Sequence, residues 1–226
     1  MRVPICYIGF SELRRGICRN LADHRRQLRT HSGSAAGEHG TLGTAMTLST
    51  FPFRTERLSL RPHQSEDAAA LQRIYAIPEV ARFLLDEPWT SEMAAEKVAE
   101  RIPKVDIDGP AGSVMLVIER DGVAIGDVQL WLTDVERRVA EIGWVLDPAF
   151  GGQGFAAEAV RAVLELAFAH YRLHRVTAQM DARNLASAKL ADAVGMRREA
   201  HFREDWWSKG EWTDTLVFGS LGSDRS

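Results

Sequence analysis

Cysteine is nearly absent from this chain of 226 residues: Cys6 and Cys18 are the only two, and none follows residue 18. The rest of the chain therefore has no disulfide scaffold, thiolate metal site or cysteine nucleophile. Long hydrophobic runs are missing as well. No stretch approaches the ~20 apolar residues of a membrane-spanning helix. The patch Val3-Pro4-Ile5-Cys6-Tyr7-Ile8 is too short for a signal-peptide core. The seven histidines follow no metal-ligand spacing, so no metal is expected. Charge of one sign is also lacking, with 28 basic and 31 acidic residues and a net charge of -3. That balance hides an asymmetry. Residues 1–45 hold seven arginines and three acidic residues, which leaves 21 basic and 28 acidic residues in 46–226. The mildly acidic body argues against nucleic acid as a partner and suits a cationic or amine substrate.

Residues 1–45 read as a basic N-terminal extension with little fixed structure, ending in a Gly/Ser/Ala/His stretch at 32–44. A transit peptide is the competing reading of this Arg-rich, acid-poor segment. From Met46 the pattern is one domain, 46–226, in which strands and helices alternate. Arg57–Pro62 alternates polar and apolar residues as a half-buried strand does. Ser65 is placed to cap a helix through Tyr75, and Thr90 to open one reaching about Ile102. Strands at 114–119 and 124–132 flank Arg120-Asp121-Gly122, a hairpin signal. A strand at 139–146 leads to a glycine loop and a long helix to Tyr171 with apolar positions at Val160, Val163, Leu164, Ala167 and Phe168. A strand at 174–180, a helix at 185–194 and a strand at 212–218 complete a mixed α/β domain.

The chemistry concentrates in the loop. Phe150-Gly151-Gly152-Gln153-Gly154-Phe155-Ala156-Ala157-Glu158 joins the end of a strand to a long helix. Glycines remove the Cβ atoms that keep a ligand from the backbone. Successive N–H groups and the helix dipole then favour an anion, most plausibly a phosphate or pyrophosphate. A tightly packed turn with no ligand is the plainer alternative. A Walker loop is excluded because Gly154 is followed by Phe155-Ala156 and not by Lys-Ser/Thr. A Rossmann fingerprint fails on its glycine spacing and on the loop's late position in the sheet.

Gly151-Gly152-Gln153-Gly154-Phe155-Ala156 resembles the acyl-CoA pyrophosphate loop of GNAT-superfamily N-acetyltransferases, usually Arg/Gln-x-x-Gly-x-Gly/Ala. With Glu158-Ala159 it is similar to the branch containing ribosomal-protein N-terminal (alanine/serine) acetyltransferases. In the same order, 53–62 looks like the opening strand of that branch. Asn184-Leu185-Ala186-Ser187 with Ala193-Val194-Gly195-Met196 looks like its Asn-x-x-Ser…Gly-Phe segment, and 210–214 like its closing strand entry. The resemblance covers about 52–221. Three departures stand out: Gly151 replaces the leading Arg/Gln, Met196 the usual Phe, and Ala191 the Tyr that serves many members as general acid.

The resemblance implies the GNAT acyltransferase fold, an α/β (mixed α+β) architecture. Its central mixed, largely antiparallel sheet of about seven strands is flanked by helices and splayed at the acyl-CoA cleft. It implies acetyl-CoA as co-substrate and direct acetyl transfer to a primary amine, either a small-molecule amine or a protein N-terminus. No nucleic acid or membrane partner is implied, a homodimer is an expected assembly, and a cytoplasmic location is expected. A catalytically silent acyl-CoA-binding module is the competing reading.

Site residues follow the same resemblance. Backbone groups of Trp144, Val145 and Leu146 would pair with the pantetheine arm like an added strand. Gly151, Gly152, Gln153, Gly154, Phe155 and Ala156 would hold the pyrophosphate. Asn184, also placed as a helix N-cap, and Ser187 would meet the cofactor, with Ser187 or water protonating the leaving thiolate. Phe83 and Trp89 fall where similar proteins border the acceptor cleft, with core packing as the alternative. An amine must lose a proton before it attacks. That costs about 4 kcal/mol near pH 7.4 for a lysine (pKa ~10.4) but under ~1 for a peptide α-amine (pKa ~7.7–8.0). Glu141, on the strand that feeds the loop, is the candidate base.

Overall fold

The computed structural model describes residues 51–225, so the expectation for residues 1–45 lies outside the described residues. Nine strands form one sheet: β1 (Phe53–Arg54), β2 (Ser59–Pro62), β3 (Val105–Asp106), β4 (Ser113–Arg120), β5 (Val123–Asp134), β6 (Val139–Leu146), β7 (Arg175–Asp181), β8 (Arg197–Ser208) and β9 (Glu211–Leu221). Their order is β1-β2-β4-β5-β6-β7-β9-β8, with β3 attached to β4. The helices are α1 (Asp67–Tyr75), α2 (Pro78–Ala81), α3 (Ser91–Arg101), α4 (Phe155–Glu165) and α5 (Leu185–Ala193). A π-helical turn, Leu166–His170, prolongs α4.

The β4–β5 hairpin turns through Asp121 (φ 50°) and Gly122 (φ 78°). Two successive positive φ values define the turn whose twist matches antiparallel strands. Gln129 pairs with Gly143 and Trp131 with Glu141, so these residues share one face of the sheet. Helices α1 and α3 cover that face, where Leu71, Ile74, Tyr75, Trp89 and Val98 pack against Val145. The opposite face carries Val128, Leu130, Ile142 and Trp144 under Ala156, Val160 and Val163 of α4 and Leu190 of α5.

Every neighbouring pair of strands is antiparallel except β6–β7. That parallel pairing lasts three positions, Val139↔Arg175, Ala140↔Val176 and Glu141↔Thr177, and then stops. β6 remains paired with β5 to its end at Leu146↔Gly126, and β7 with β9 to Asp181↔Thr215. The sheet therefore opens as a wedge whose apex is Glu141.

One local expectation needs correction, and one strand was not anticipated. Ser65 does not cap α1: the N-cap is Glu66 without a side-chain bond, and the Asp67 carboxylate reaches back to accept Gln64 N–H at 2.7 Å. Thr90 does cap α3, accepting Met93 N–H. The strand β8 has no counterpart in the pattern reading. It is a mostly exposed edge strand rich in charge, interrupted by register shifts after Arg198 and Phe202, so no apolar alternation marks it.

Beneath α1 and α3 lies a buried polar network. Arg101 bonds Asp127, and the Tyr75 hydroxyl donates to both oxygens of that carboxylate at 2.9 and 3.0 Å. His63 is 2% exposed, and neither ring nitrogen has a hydrogen-bond partner among the described residues. Burial lowers its pKa from 6.5 to about 4, against the opposing fields of Asp127 and Asp67 and reinforced by Arg101 and Arg61. The folded state therefore holds this imidazole neutral while the unfolded chain still binds its proton. Stability from this group is present above pH 6.5 and is lost as pH falls through 6.5 to 4. Denaturant titrations should show His63→Leu losing up to ~3 kcal/mol less than the parent chain across that window. Identical pH slopes in the two proteins would contradict a neutral buried His63.

Candidate active site

Strand β6 ends at Asp147, whose carboxylate accepts Ala149 N–H at 2.8 Å and fixes the turn Pro148–Phe150. Gly151 is buried and extended, with φ −65° and ψ 153°. Gly152 (φ +75°) and Gly154 (φ +82°) are in the left-handed region, where a side chain is strained, and Gly154 is the N-cap of α4. The cap brings no side chain, so the first N–H groups of α4 have no intrahelical acceptor and point outward with the helix dipole.

Contacts distant in sequence hold this loop. The Arg57 guanidinium donates to Gln153 O at 3.0 Å and to Glu158 Oε2 at 2.7 Å. Thr55 Oγ1 and the Arg57 N–H both donate to Glu158 Oε1, at 2.5 and 2.8 Å. Burial pushes the Glu158 carboxyl up, but these donors outweigh it and hold its pKa below the usual range. Arg57 and Arg120 each lie 4.5 Å from the Phe155 ring centroid, a cation–π arrangement on the first residue of α4.

Between this loop and α5 lies a cavity of about 260 Å³ lined by Leu146, Phe150, Gly152, Gly154, Ala186 and Lys189, among others. A glycine cradle at a helix N-terminus beside a cavity of this size, with an exposed lysine across it, fits the pyrophosphate and pantetheine of coenzyme A. The side chains of Trp144, Val145 and Leu146 are buried, so only their backbone can meet a ligand in the wedge. Asn184 is 2% exposed and caps α5, its Oδ1 accepting Ser187 N–H at 3.1 Å. Ser187 has no exposed surface, and Ala191 is enclosed in the core.

On the opposite face, Glu141 is 1% exposed and accepts a hydrogen bond from Gln179 Nε2 at 3.1 Å. Two cavities are lined by residues of the adjoining strands, β7 and β5, though not by Glu141 itself. One, lined by Arg82, Phe83, Asp181, Trp206 and Thr215, holds about 10 Å³. The other, between α1, α3 and strands β4 and β5, holds about 140 Å³ and is lined by residues that include Tyr75, Lys97, Arg101, Lys104, Gln129 and Trp131. Phe83 thus borders a cavity. Trp89 does not: it is 3% exposed, stacks on Tyr75 at 3.9 Å and donates to Asp86. Sequence reasoning did not find the Arg57–Glu158 clamp, Gln179 or the larger cavity, because each joins residues far apart in the chain. Among the described residues, no group of three or more His, Cys, Asp or Glu is gathered to hold a metal. No helix there is long and apolar enough to cross a membrane.

A sheet parted beside a glycine cradle at a helix N-terminus, with a buried carboxylate at the apex, is the arrangement that an acyl-coenzyme A-dependent transferase calls for. The family profile "Acetyltransferase (GNAT) domain" matches residues 57–197, and the chain belongs to that family. It is 30% identical over 167 residues to an uncharacterized N-acetyltransferase, p20, of Bacillus licheniformis, covering 74% of this chain and 94% of that one. Spermidine N-acetyltransferase from Vibrio cholerae, solved with CoA and spermine, is similar in fold: TM-score 0.64, 22% identity, 75% of this chain and 98% of that one. A ribosomal L7/L12 alpha-N-protein acetyltransferase solved with coenzyme A is similar too, with TM-score 0.65, 19% identity, and coverage of 74% and 95%. The chain is an acetyl-CoA-using N-acetyltransferase.

Gly154→Val tests the cradle. It forces a branched side chain into φ +82°, with its Cβ 3.4 Å from Arg57 Nη2 and beside the 260 Å³ cavity. Calorimetry should show acetyl-CoA binding at least ~10-fold weaker, a loss of ~1.4 kcal/mol or more. Unchanged affinity in a folded variant would remove the loop from the cofactor site.

Proposed function

We propose that this enzyme transfers acetyl directly from acetyl-CoA to a small primary amine, with Glu141 as general base. The observation that carries the reading is the position of Glu141: the last residue of β6 paired with β7, buried, on the face away from α4. A pantetheine arm bonded to the β6 backbone beyond that point brings its thioester to the apex. The amine arrives from the α1/α3 face. The nitrogen lone pair attacks the thioester carbonyl carbon, the tetrahedral intermediate collapses, and the C–S bond breaks to release the thiolate. With 1% exposure, Glu141 takes the amine proton through a bridging water and not by direct contact. The thiolate takes its proton from solvent, because the Ser187 hydroxyl has no exposed surface.

Direct transfer is supported by the absence of cysteine after residue 18, which leaves no thiol to carry the acetyl group. Much of the acceleration then comes from holding amine and thioester in line. The ordered motifs are similar to the ribosomal-protein branch, but the acceptor cavity favours a small amine. At about 140 Å³ it has room for a small molecule.

Glu141→Gln keeps the shape and the bond to Gln179 within reach while removing the carboxylate. Thiol release from acetyl-CoA with a pooled amine panel should fall ~10²–10⁴-fold at pH 7, with acetyl-CoA affinity nearly intact. The deficit should shrink as pH rises and the acceptor arrives already neutral, near pH 8–9 for a peptide-like α-amine and near pH 10 for an alkylamine. Wild-type turnover at pH 7 would place the base elsewhere.

A further inference from the structure

The two cavities lined by residues of β7 and of β5, the strands on either side of β6, are unequal, and the difference bears on where an acceptor can sit. The one under Phe83, at about 10 Å³, is at the limit for a single water. The larger one includes Trp131, which stands directly across from Glu141 in the β5–β6 ladder. Side chains so paired have Cβ atoms ~4.5–5.5 Å apart, so the inner wall of the larger cavity adjoins the base.

The charges around this cavity divide into those already neutralised and those that are not. Lys97 pairs with Asp86 at 3.2 Å. Arg101 is bonded to Asp127 and lies over the Tyr75 and Trp89 rings. Lys104 and Glu100 form no ion pair or side-chain hydrogen bond among the described residues. The two differ in exposure. Glu100 is exposed at the last turn of α3, where water screens it, whereas Lys104 is half-buried. The backbone fixes Lys104 on both sides, its N–H donating to Arg101 O at 3.0 Å and its carbonyl accepting Met115 N–H at 2.8 Å. A less screened ammonium without an ion pair among the described residues thus lines the same cavity as Trp131, the ladder partner of Glu141. Asp86 and Glu100 line the cavity as well, and with Lys97 and Arg101 paired, Lys104 is the one lining cation without an ion pair among the described residues.

We infer that the acceptor is a small amine bearing a carboxylate, an amino acid being the simplest case, with its nitrogen toward Glu141 and its carboxylate on Lys104. This assignment rests on the proposed amine-acetyltransferase reading of the same site. It makes Lys104 a specificity-determining residue that touches the substrate away from the reacting atoms.

The test uses the full chain, acetyl-CoA, and two sets of acceptors: the common α-amino acids and their decarboxylated amines, with spermidine and a short peptide alongside. At least one amino acid should be acetylated with kcat/KM ~10-fold or more above its decarboxylated counterpart. Lys104→Gln should lower kcat/KM for that amino acid by ~10-fold or more, chiefly through KM, and leave the decarboxylated amine unaffected. Lys104→Arg should restore most of the preference, which a merely structural role would not give. Preferred turnover of spermidine, the peptide or the decarboxylated amines would overturn the carboxylate assignment while leaving the transferase reading intact. An equal loss for both acceptor sets in Lys104→Gln would do the same. Bound acetyl-CoA with no turnover of any amine would overturn the transferase reading and this inference with it.

Discussion

Everything in this site depends on the parting of β6 and β7 after Glu141↔Thr177. Each strand is held by its other neighbour, so the gap does not close. Close approach of β5 fixes β6 at its far end: a Cβ on Gly126 would sit 2.2 Å from Val145 O, so glycine is required there. On the other side β7 is paired with β9 along its whole length. Backbone groups facing a gap inside a sheet need partners. An extended pantetheine arm with its own amides would supply them in the manner of an added strand.

The wedge also separates two kinds of charge. At its wide end, on the α4 face, are the glycine cradle and the helix N-terminus, both suited to an anion. At its apex, on the α1/α3 face, is Glu141. Arg57 and Glu158 tie the loop to the segment before β2, so the cradle is set by tertiary contacts as much as by its glycines. The buried Arg101–Asp127–Tyr75 network supports the other face. Removing one member of such a pair leaves an uncompensated charge, a cost of ~3–5 kcal/mol, so the network keeps α1 and α3 seated over the sheet.

Much of this was legible from residue order. The reading of 139–146 as a strand matches β6, and Asp121-Gly122 marked the hairpin. Glu141 was named from its place on the strand that feeds the loop, where the resemblance implies an acid; its burial on β6 is seen only in the structure. What could not be read was non-local. The parting of two strands is a property of pairing partners, and 36 and 38 residues separate Glu141 from its β7 neighbours Thr177 and Gln179. β8 escaped because a charged edge strand has no apolar period. Ser65 was misassigned because the Asp67 carboxylate competes for the turn and is drawn in by Arg61, which it meets at 2.7 Å. Trp89 carried the composition of a substrate contact but serves as core, a distinction only burial reveals.

The most direct test of the wedge account is a crystal structure with a bisubstrate conjugate, coenzyme A joined through an acetyl bridge to a primary amine. The account predicts pyrophosphate oxygens on the amides of 152–156 and the pantetheine between β6 and β7. It also predicts the conjugate nitrogen within ~2.6–3.2 Å of a water that is itself bonded to Glu141. A pantetheine lying outside the gap, or a nitrogen with neither Glu141 nor such a water in reach, would contradict it.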